Sequence, residues 1–196
     1  MNTMQKLTRD DLFSLEKYAE VRAGFREDVL AHKRNRRLEL GTNAALYFED
    51  RMTMQYQVQE MLRIERIFEA EGINEELEAY NPLIPDGSNW KATFMVEFPD
   101  VEERAAMLQQ LVDIENRVFV RVAELDKVYA IADEDLERAD ETKTSAVHFL
   151  RFEISDEMAQ DLKAGADLRI GVQHAVYTYD PLVEGDTRAS LLADLD

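Results

Sequence analysis

The stretch that decides the fold is Arg51–Glu71, which reads RMTMQYQVQEMLRIERIFEAE. At roughly 100° per residue its apolar side chains occupy one wide arc of a helical wheel, and Gly72 is placed to end the helix. The arc contains Met54, Val58, Met61, Leu62, Ile64, Ile67 and Phe68. The opposite face carries Gln55, Gln59, Arg63 and Arg66. The pattern therefore predicts a long central amphipathic helix.

Three polar residues of this helix fall within its apolar arc. Glu65 lies near the centre of the arc, and Gln57 and Glu60 lie inside it. A buried carboxylate is unfavourable unless it is paired, hydrogen-bonded or bound to a cation. We therefore expect Glu60 and Glu65 to point inward and to have partners there.

The region before this helix is also helical in pattern. Thr8 is a suitable N-cap for a short helix over Asp10–Tyr18, and a longer helix continues to about Arg37 with apolar residues at helical spacing. These residues predict an N-terminal helical segment over 8–38.

The rest of the chain alternates between strand and helix patterns. A short amphipathic helix is predicted at the C-terminus, over 187–195. Runs typical of strands are Ala44–Phe48, Lys91–Phe98, Arg117–Val122, Lys127–Ala132, Thr144–Ile154 and Leu168–Val176. We predict a single α+β domain over residues 1–196, with a mainly antiparallel sheet of about five or six strands packed against helices.

Composition narrows the classes of function. The chain has 23 Lys and Arg against 41 Asp and Glu, a formal charge of −18, and all of the excess lies after residue 40. Phosphate backbones repel such a protein, so we expect no nucleic-acid partner. The basic run Lys33–Arg37 is predicted to mark a helix end, where cations complement the helix dipole.

Several chemistries lack their residues or motifs. Cysteine is absent, and the seven glycines form neither a dinucleotide-binding fingerprint nor a phosphate-binding loop. Hydrolase and zinc-protease motifs are absent from the sequence as well. Without a long apolar run or a signal-peptide pattern, we expect a cytoplasmic protein with no membrane partner.

The three histidines suggest one candidate site. His32, His148 and His174 each lie in phase with apolar neighbours, so we expect all three to project from apolar faces. If they converge with Glu60 or Glu65, they form a set suited to a divalent transition metal such as Fe, Mn or Zn. The alternative is that each is a satisfied core residue.

A structural pairing is the other interpretation of the inward glutamates. A Glu–Arg or Glu–His pair would orient the central helix, for example Glu65 with Arg151 or His148. Which interpretation holds depends on the topology of the folded chain.

Three segments resemble a bacterial family called domain of unknown function 3501. They are Glu49–Arg51 with Tyr56–Glu65, the loop Tyr80–Gly87 leading into Lys91–Thr93, and Tyr129–Asp133 followed by Ser145–Phe149. The resemblance covers nearly the whole chain. It implies no assigned activity, and it implies genes that often lie beside those of rubrerythrin-like proteins and iron–sulfur oxidoreductases.

Two functions remain open from the sequence. The first is a non-catalytic accessory protein of a redox or oxidative-stress system, which binds a protein partner (a redox protein or a second copy of itself), with or without a bound metal. The second is a metal-dependent enzyme or metal sensor with a His/Glu pocket.

Overall fold

The computed structural model describes residues 5–136, 138–140 and 142–196. The described residues form six helices: α1 (Leu15–Arg34), α2 (Arg51–Glu65), α3 (Ala70–Tyr80), α4 (Val101–Gln110), α5 (Asp156–Lys163) and α6 (Gly185–Leu192). They also form nine strands: β1 (Arg37–Glu39), β2 (Ala44–Phe48), β3 (Asn89–Val96), β4 (Val118–Val122), β5 (Val128–Tyr129), β6 (Ile131–Ala132), β7 (Val147–Glu153), β8 (Leu168–His174) and β9 (Tyr177–Tyr179).

The strands form two antiparallel sheets. One has five strands in the order β1-β2-β3-β7-β6, and the other has four in the order β5-β4-β8-β9. The predicted α+β class is therefore confirmed, but the strands are divided between two sheets.

The division occurs at Ala130, inside the run Lys127–Ala132 that the sequence predicts as one strand. Ala130 is buried in the main core, and its N–H donates to the carbonyl of Val118 at 2.9 Å. The residues before it pair with β4, whereas those after it pair with β7. One short run of chain thus belongs to both sheets in turn.

Two apolar cores support this arrangement. The main core joins side chains of both sheets, including Phe94, Phe152, Val120 and Ile170. A second, smaller core lies among α2, α3 and the N-terminal residues, and consists of Leu7, Met54, Val58, Leu62, Leu77 and Ile84. The second core positions the candidate site described below.

The central helix is shorter than predicted. It ends at Glu65, because Arg66 takes a left-handed conformation (φ 58°) and the N–H of Ile67 donates back to the carbonyl of Leu62 at 2.9 Å. Gly72 lies in the first turn of α3, where a Cβ would come within 2.8 Å of Ile67 Cγ2. The prediction that Gly72 ends the central helix is therefore wrong. Gly72 instead allows α3 to approach Ile67, because it has no Cβ.

The two ends of the chain differ in detail from expectation. The predicted helix break near Tyr18 is absent: a 3-10 turn, Arg9–Asp11, precedes a continuous α1 that Ser14 caps by accepting from the N–H of Lys17. The C-terminal helix starts at Gly185 rather than at residue 187. Within the described ranges, no helix is both long enough and apolar enough to cross a membrane.

Candidate functional site

Residues 5–14, here called the N-terminal segment, are attached to α2 by a row of polar side chains. Arg51, Gln55 and Gln59 are spaced by four residues and therefore lie on one face of the helix. Gln59 Oε1 accepts from the N–H of Phe13 at 2.5 Å, and its Nε2 donates to the Phe13 carbonyl at 3.4 Å. Gln55 Nε2 donates to the Asp11 carbonyl at 2.6 Å, and Arg51 forms an ion pair with the Asp11 carboxylate.

A second amide holds the start of the same segment. Asn81 Oδ1 accepts from the N–H of Leu7 at 2.7 Å, and its Nδ2 donates to the Leu7 carbonyl at 2.9 Å. Within the segment, the N–H of Thr8 donates to Asp11, and this bond together with Arg51 holds the pKa of Asp11 below its ordinary value. The N-terminal segment is thus fixed at both of its ends.

A cleft of about 990 Å³ lies between this segment, the start of α1, the end of α2 and α3. We call it the N-terminal cleft. Its apolar floor consists of Leu12, Leu15, Leu62, Ile67, Ile73 and Leu77. A volume near the upper end of the range for ligand pockets accommodates a large ligand.

One large apolar side chain stands in solvent beside the floor. Phe68 lines the cleft and is 70% exposed. The helical wheel places Phe68 in the buried arc, but the helix ends at Glu65 and the chain turns away. Exposed apolar side chains next to an open cleft are typical of an interaction site.

The lining of the cleft carries excess negative charge. Asp10, Glu16 and Glu78 line it, and Arg9 is the cation among the lining residues that the structure describes. A hydrogen bond from its own backbone N–H and one with Ser14 hold the pKa of Glu16 below its ordinary value, so this carboxyl is ionised at neutral pH. The lining therefore favours a cationic ligand.

The neighbouring helix extends this negative region. Glu71, Glu75 and Glu78 lie on one stripe of α3, and residues 67–90 contain neither Lys nor Arg. Partial burial, and then the nearby carboxylates of Glu65 and Glu75, raise the pKa of Glu76. Burial and neighbouring negative charges both favour the neutral form of a carboxyl group, so the two causes act in the same direction here.

Glu60 faces inward as predicted, and an arginine satisfies it. Arg22 donates two hydrogen bonds to its carboxylate at 2.7 and 2.8 Å, and the Tyr18 hydroxyl donates at 2.7 Å. The guanidinium of Arg22 lowers the pKa of Glu60 to about 2. Burial and then the adjacent carboxylate raise the pKa of Tyr18. Glu60 is therefore engaged in a Glu–Arg pair, which joins α2 to α1 rather than to a sheet.

Glu65 does not face inward, so that prediction is wrong. It is the last residue of α2 and is exposed, because the helix stops before Ile67 and Phe68 can complete the arc that would have surrounded it. The proposed partners of Glu65 are used elsewhere. Arg151 pairs with Glu134, and His148 pairs with Asp133.

His32 belongs to a buried ionic network at the N-terminus of α2. Its Nε2 lies 2.5 Å from Asp50 Oδ2, and Asp50 also caps α2 by accepting from the N–H of Thr53. The buried guanidinium of Arg36 lies between two carboxylates, 3.3 Å from Asp50 and 2.6 Å from Asp194. Burial raises the pKa of Asp194. Burial also opposes ionisation of Asp50, but His32 and Arg36 hold its pKa below the ordinary value.

The basic run Lys33–Arg37 surrounds a helix end, as expected, since α1 ends at Arg34. Two of its cations are used within the protein. Arg36 belongs to the network just described, and Arg37 donates to the Tyr47 hydroxyl at 3.0 Å and to Glu39 at 2.5 Å.

His148 is fully buried on β7 and has its own set of partners. Its Nδ1 lies 2.5 Å from Asp133 Oδ2, and its Nε2 lies 2.8 Å from Thr144 Oγ1, which in turn donates to Glu115 at 3.1 Å. These groups satisfy one another in the protein interior, and none of them lines the N-terminal cleft. The cluster ties β7 to three segments that precede it in the chain.

His174 lies on the other sheet and is apart from these groups. Its Nε2 donates to the carbonyl of Val112 at 3.0 Å. Glu60, His32, His148 and His174 form these hydrogen bonds and ion pairs with other residues of the chain and not with one another.

The five residues therefore do not fit a shared metal site. Both ring nitrogens of His148, and Nε2 of His32 and of His174, already face carboxylates, a hydroxyl or carbonyls. The described part of the chain contains no group of three or more His, Cys, Asp or Glu residues arranged to hold a metal ion. Metal binding by this chain remains a prediction from its sequence.

The residues that build the cleft were not singled out from the sequence. The helical wheel places Gln55 and Gln59 on the solvent face. The sequence signal for their role in holding the N-terminal segment is that Arg51, Gln55 and Gln59 follow one another at intervals of four residues on one face of the helix. A second signal is the absence of Lys and Arg over residues 67–90. Both signals indicate a polar or charged face that has a role other than solvation.

Comparison with known proteins places the chain in a family. A family profile described as "Protein of unknown function (DUF3501)" matches residues 6–195. The chain belongs to the DUF3501 family. The match includes residues 6–14 of the N-terminal segment, α2 and α3, so every residue that lines the cleft lies within the DUF3501 domain. The family resemblance inferred from the three sequence segments is confirmed.

A solved structure supports the same conclusion for the fold. It is described as a novel protein of unknown function from Burkholderia pseudomallei and is 52% identical to this DUF3501 chain, with a TM-score of 0.92. The similarity covers 98% of this chain and 100% of the other. Comparison with curated proteins gives no match.

Proposed function

We propose that this DUF3501 protein is a non-catalytic accessory protein that binds a partner protein in the N-terminal cleft, within a bacterial redox or oxidative-stress system. The observation that supports the binding role is the cleft itself, which combines an apolar floor, the exposed ring of Phe68 and an acidic lining. Protein interfaces have this composition, with an apolar and aromatic centre inside a polar rim.

Charge indicates what kind of surface the partner presents. The whole chain carries −18, and the stripe Glu71, Glu75 and Glu78 places part of that charge beside the cleft. A basic partner surface is attracted to this region at long range, which speeds encounter at low salt. Binding is therefore expected to weaken as salt concentration rises.

The assignment to a redox or stress system has a separate basis. It depends on the genes that lie beside those of the family, as the sequence resemblance implies, and this is an associational argument. A test of the binding role must therefore be able to succeed even if the partner has no redox chemistry.

Partner binding is proposed ahead of the alternative, a metal-dependent enzyme or metal sensor with a His/Glu pocket. That alternative needs histidines and glutamates in one pocket. In the structure Glu60 instead pairs with Arg22. His148 pairs with Asp133, and His32 pairs with Asp50. The cleft, in contrast, is open and lined by side chains available for contact.

Two charge-reversal variants of the full chain test the binding role. The cleft variant carries Glu71→Lys, Glu75→Lys and Glu78→Lys. The control variant carries Glu27→Lys, Glu102→Lys and Glu124→Lys at exposed positions elsewhere, which changes the net charge equally. Wild-type protein and both variants are used at low salt to capture proteins from the source bacterium, and each captured protein is then purified for direct measurement of Kd.

We expect a basic protein that binds wild type and the control variant but binds the cleft variant at least about tenfold more weakly, a loss of about 1.4 kcal/mol. Equal affinity for the two variants would contradict binding in the cleft. Recovery of only a second copy of this chain would replace the proposal with a homodimer. A partner that meets the affinity criterion but lacks redox chemistry would overturn only the redox assignment.

A further inference from the structure

We propose that the segment that occupies the N-terminal cleft is a basic amphipathic helix, which seats apolar side chains on the cleft floor and places Lys or Arg against its acidic rim. This inference rests on the proposed partner-binding function and adds the conformation and chemistry of the bound segment.

The first step concerns the backbone of the bound segment. The described part of the chain lines the cleft with helices and turns and contributes no strand edge to it. An extended peptide would therefore find no row of backbone groups to pair with, although strand addition depends on such a row. A helix satisfies its own backbone groups and does not need that row.

The polar side chains around the cleft support the same conclusion. Asn81 already uses its amide on the backbone of Leu7, and Ser14 already accepts from the N–H of Lys17. The Thr8 hydroxyl donates to Asp11 at 2.9 Å. Because these groups are engaged within the chain, few remain to satisfy the backbone of an extended ligand, which would leave unpaired groups buried at a cost.

The second step concerns size and shape. The helix α3, which forms one wall, has 11 residues and is therefore about 16 Å long at 1.5 Å per residue. A bound helix of two to three turns spans that wall and presents apolar side chains at positions i, i+3, i+4 and i+7 to the floor. Phe68 then covers the side of the bound helix at the end of α2, and its present exposure is removed.

The third step concerns charge. Asp10, Glu16 and Glu78 surround the floor, and Glu71 and Glu75 continue the negative stripe along α3. An acidic or neutral helix gains nothing from these carboxylates, whereas a helix with Lys or Arg on its flanks gains several complementary contacts. The occupant is therefore basic as well as amphipathic.

Three labelled peptides of about 14 residues, roughly four turns, test the inference with the full chain. The first is a helix with Leu at positions i, i+3, i+4 and i+7 and Lys elsewhere. The second replaces every Lys by Glu. The third keeps the basic composition but carries two central prolines that prevent a helix. Fluorescence anisotropy gives the Kd of each peptide.

We expect the basic helix to bind at least about tenfold more tightly than either other peptide. The variant Phe68→Ala is expected to lose at least about tenfold in affinity for the basic helix, whereas Val101→Ala, which removes a similarly exposed apolar side chain from α4, is expected to leave affinity unchanged. Because both side chains are largely in solvent, neither change threatens the fold.

Each other outcome overturns the inference. Equal binding of the proline peptide would show that the occupant is not a helix, and equal binding of the acidic peptide would show that charge does not select it. Absence of binding by the basic helix at 100 μM would also overturn the inference, since a Kd above that value is about a hundredfold weaker than a typical micromolar interaction. An equal loss of affinity in Phe68→Ala and Val101→Ala would overturn it as well. If the captured partner still distinguishes the two charge-reversal variants, the proposed function stands while this inference fails. If neither experiment distinguishes the cleft, both fail.

Discussion

Gln59 binds both backbone groups of Phe13 with one side-chain amide, although the two residues are 46 positions apart in the chain. The amide is fully buried and replaces the backbone pairing that a strand or helix would provide. This single contact fixes the position where the N-terminal segment leaves the cleft and enters α1.

Replacing Gln59 by Ala is expected to destabilise the protein and to release the N-terminal segment. The N–H and carbonyl of Phe13 lose their partner, at a cost of about 2 kcal/mol in the free energy of unfolding. Urea denaturation measures that cost, and faster hydrogen exchange over residues 5–14 reports the release. Gln160→Ala, at an exposed position of α5, is the control and is expected to change stability by less than about 0.5 kcal/mol. Slow exchange in the Gln59 variant would contradict this account of the segment.

The pair of Glu60 with Arg22 makes stability depend on pH. Because Arg22 lowers the pKa of Glu60 to about 2 in the folded protein, the folded state favours the ionised carboxylate. This stabilisation is present above the ordinary pKa of a glutamate and is lost as pH falls from about 5 toward 2.

Glu60→Gln is therefore expected to lower the free energy of unfolding by about 1–2 kcal/mol at pH 7 and to change it little at pH 2. Denaturation curves at several pH values measure the difference. Glu65→Gln, on the exposed end of the same helix, is expected to differ from wild type by less than about 0.5 kcal/mol at each pH. A constant difference between Glu60→Gln and wild type from pH 7 to pH 2 would show that the carboxylate charge is not what Arg22 stabilises.

Arg36→Met is expected to be strongly destabilising. The change leaves the buried carboxylates of Asp50 and Asp194 without the cation between them, which costs about 3–5 kcal/mol in the free energy of unfolding. Adding Asp194→Asn is expected to recover part of the loss, because one uncompensated charge is removed. Arg34→Met, at an exposed position two residues earlier, provides the matched control. Thermal and urea unfolding of the three variants measure these effects, and no recovery in the double variant would argue against charge as the cause.

His148 and His174 are expected to differ in importance. His148→Ala removes a fully buried ring that contacts Asp133 and Thr144 and lies 3.8 Å from Glu115, at a cost of about 3 kcal/mol or more. His174→Ala removes a hydrogen bond to the backbone of Val112, which is worth about 1 kcal/mol. The free energies of unfolding of the two variants measure this difference. Equal losses of stability in His148→Ala and His174→Ala would contradict the greater importance of the buried cluster.

Features that depend on neighbours within a few residues could be predicted from the sequence. Asp100 and Ser155, residue types that favour helix N-caps, cap α4 and α5, each accepting a hydrogen bond from an N–H three residues later. The α+β class follows from the order of helix and strand patterns, which are also local. The helical wheel predicts the inward position of Glu60, but it places the fully buried Gln59 on the solvent face, because it does not include the N-terminal segment that covers that face.

Features that depend on distant contacts could not be predicted. The strand run Lys127–Ala132 divides because Ala130 enters a core built from both sheets. The wheel fails at Glu65, since the end of α2 is set by where Ile67 packs against α3. The histidines lie on apolar faces as expected, but which carboxylate each one meets is a property of the complete topology.

The way in which the N-terminal segment is held has a consequence for how binding specificity can change. One wall of the cleft is attached through side-chain groups of Arg51, Gln55, Gln59 and Asn81, whereas the main core lies elsewhere in the molecule. Substitution at one of these four positions is expected to shift that wall and to leave the two sheets, which pack on the main core, in place. The proposed binding surface thus depends on side chains outside the main core, so we expect single substitutions there to alter ligand preference without rearranging the sheets.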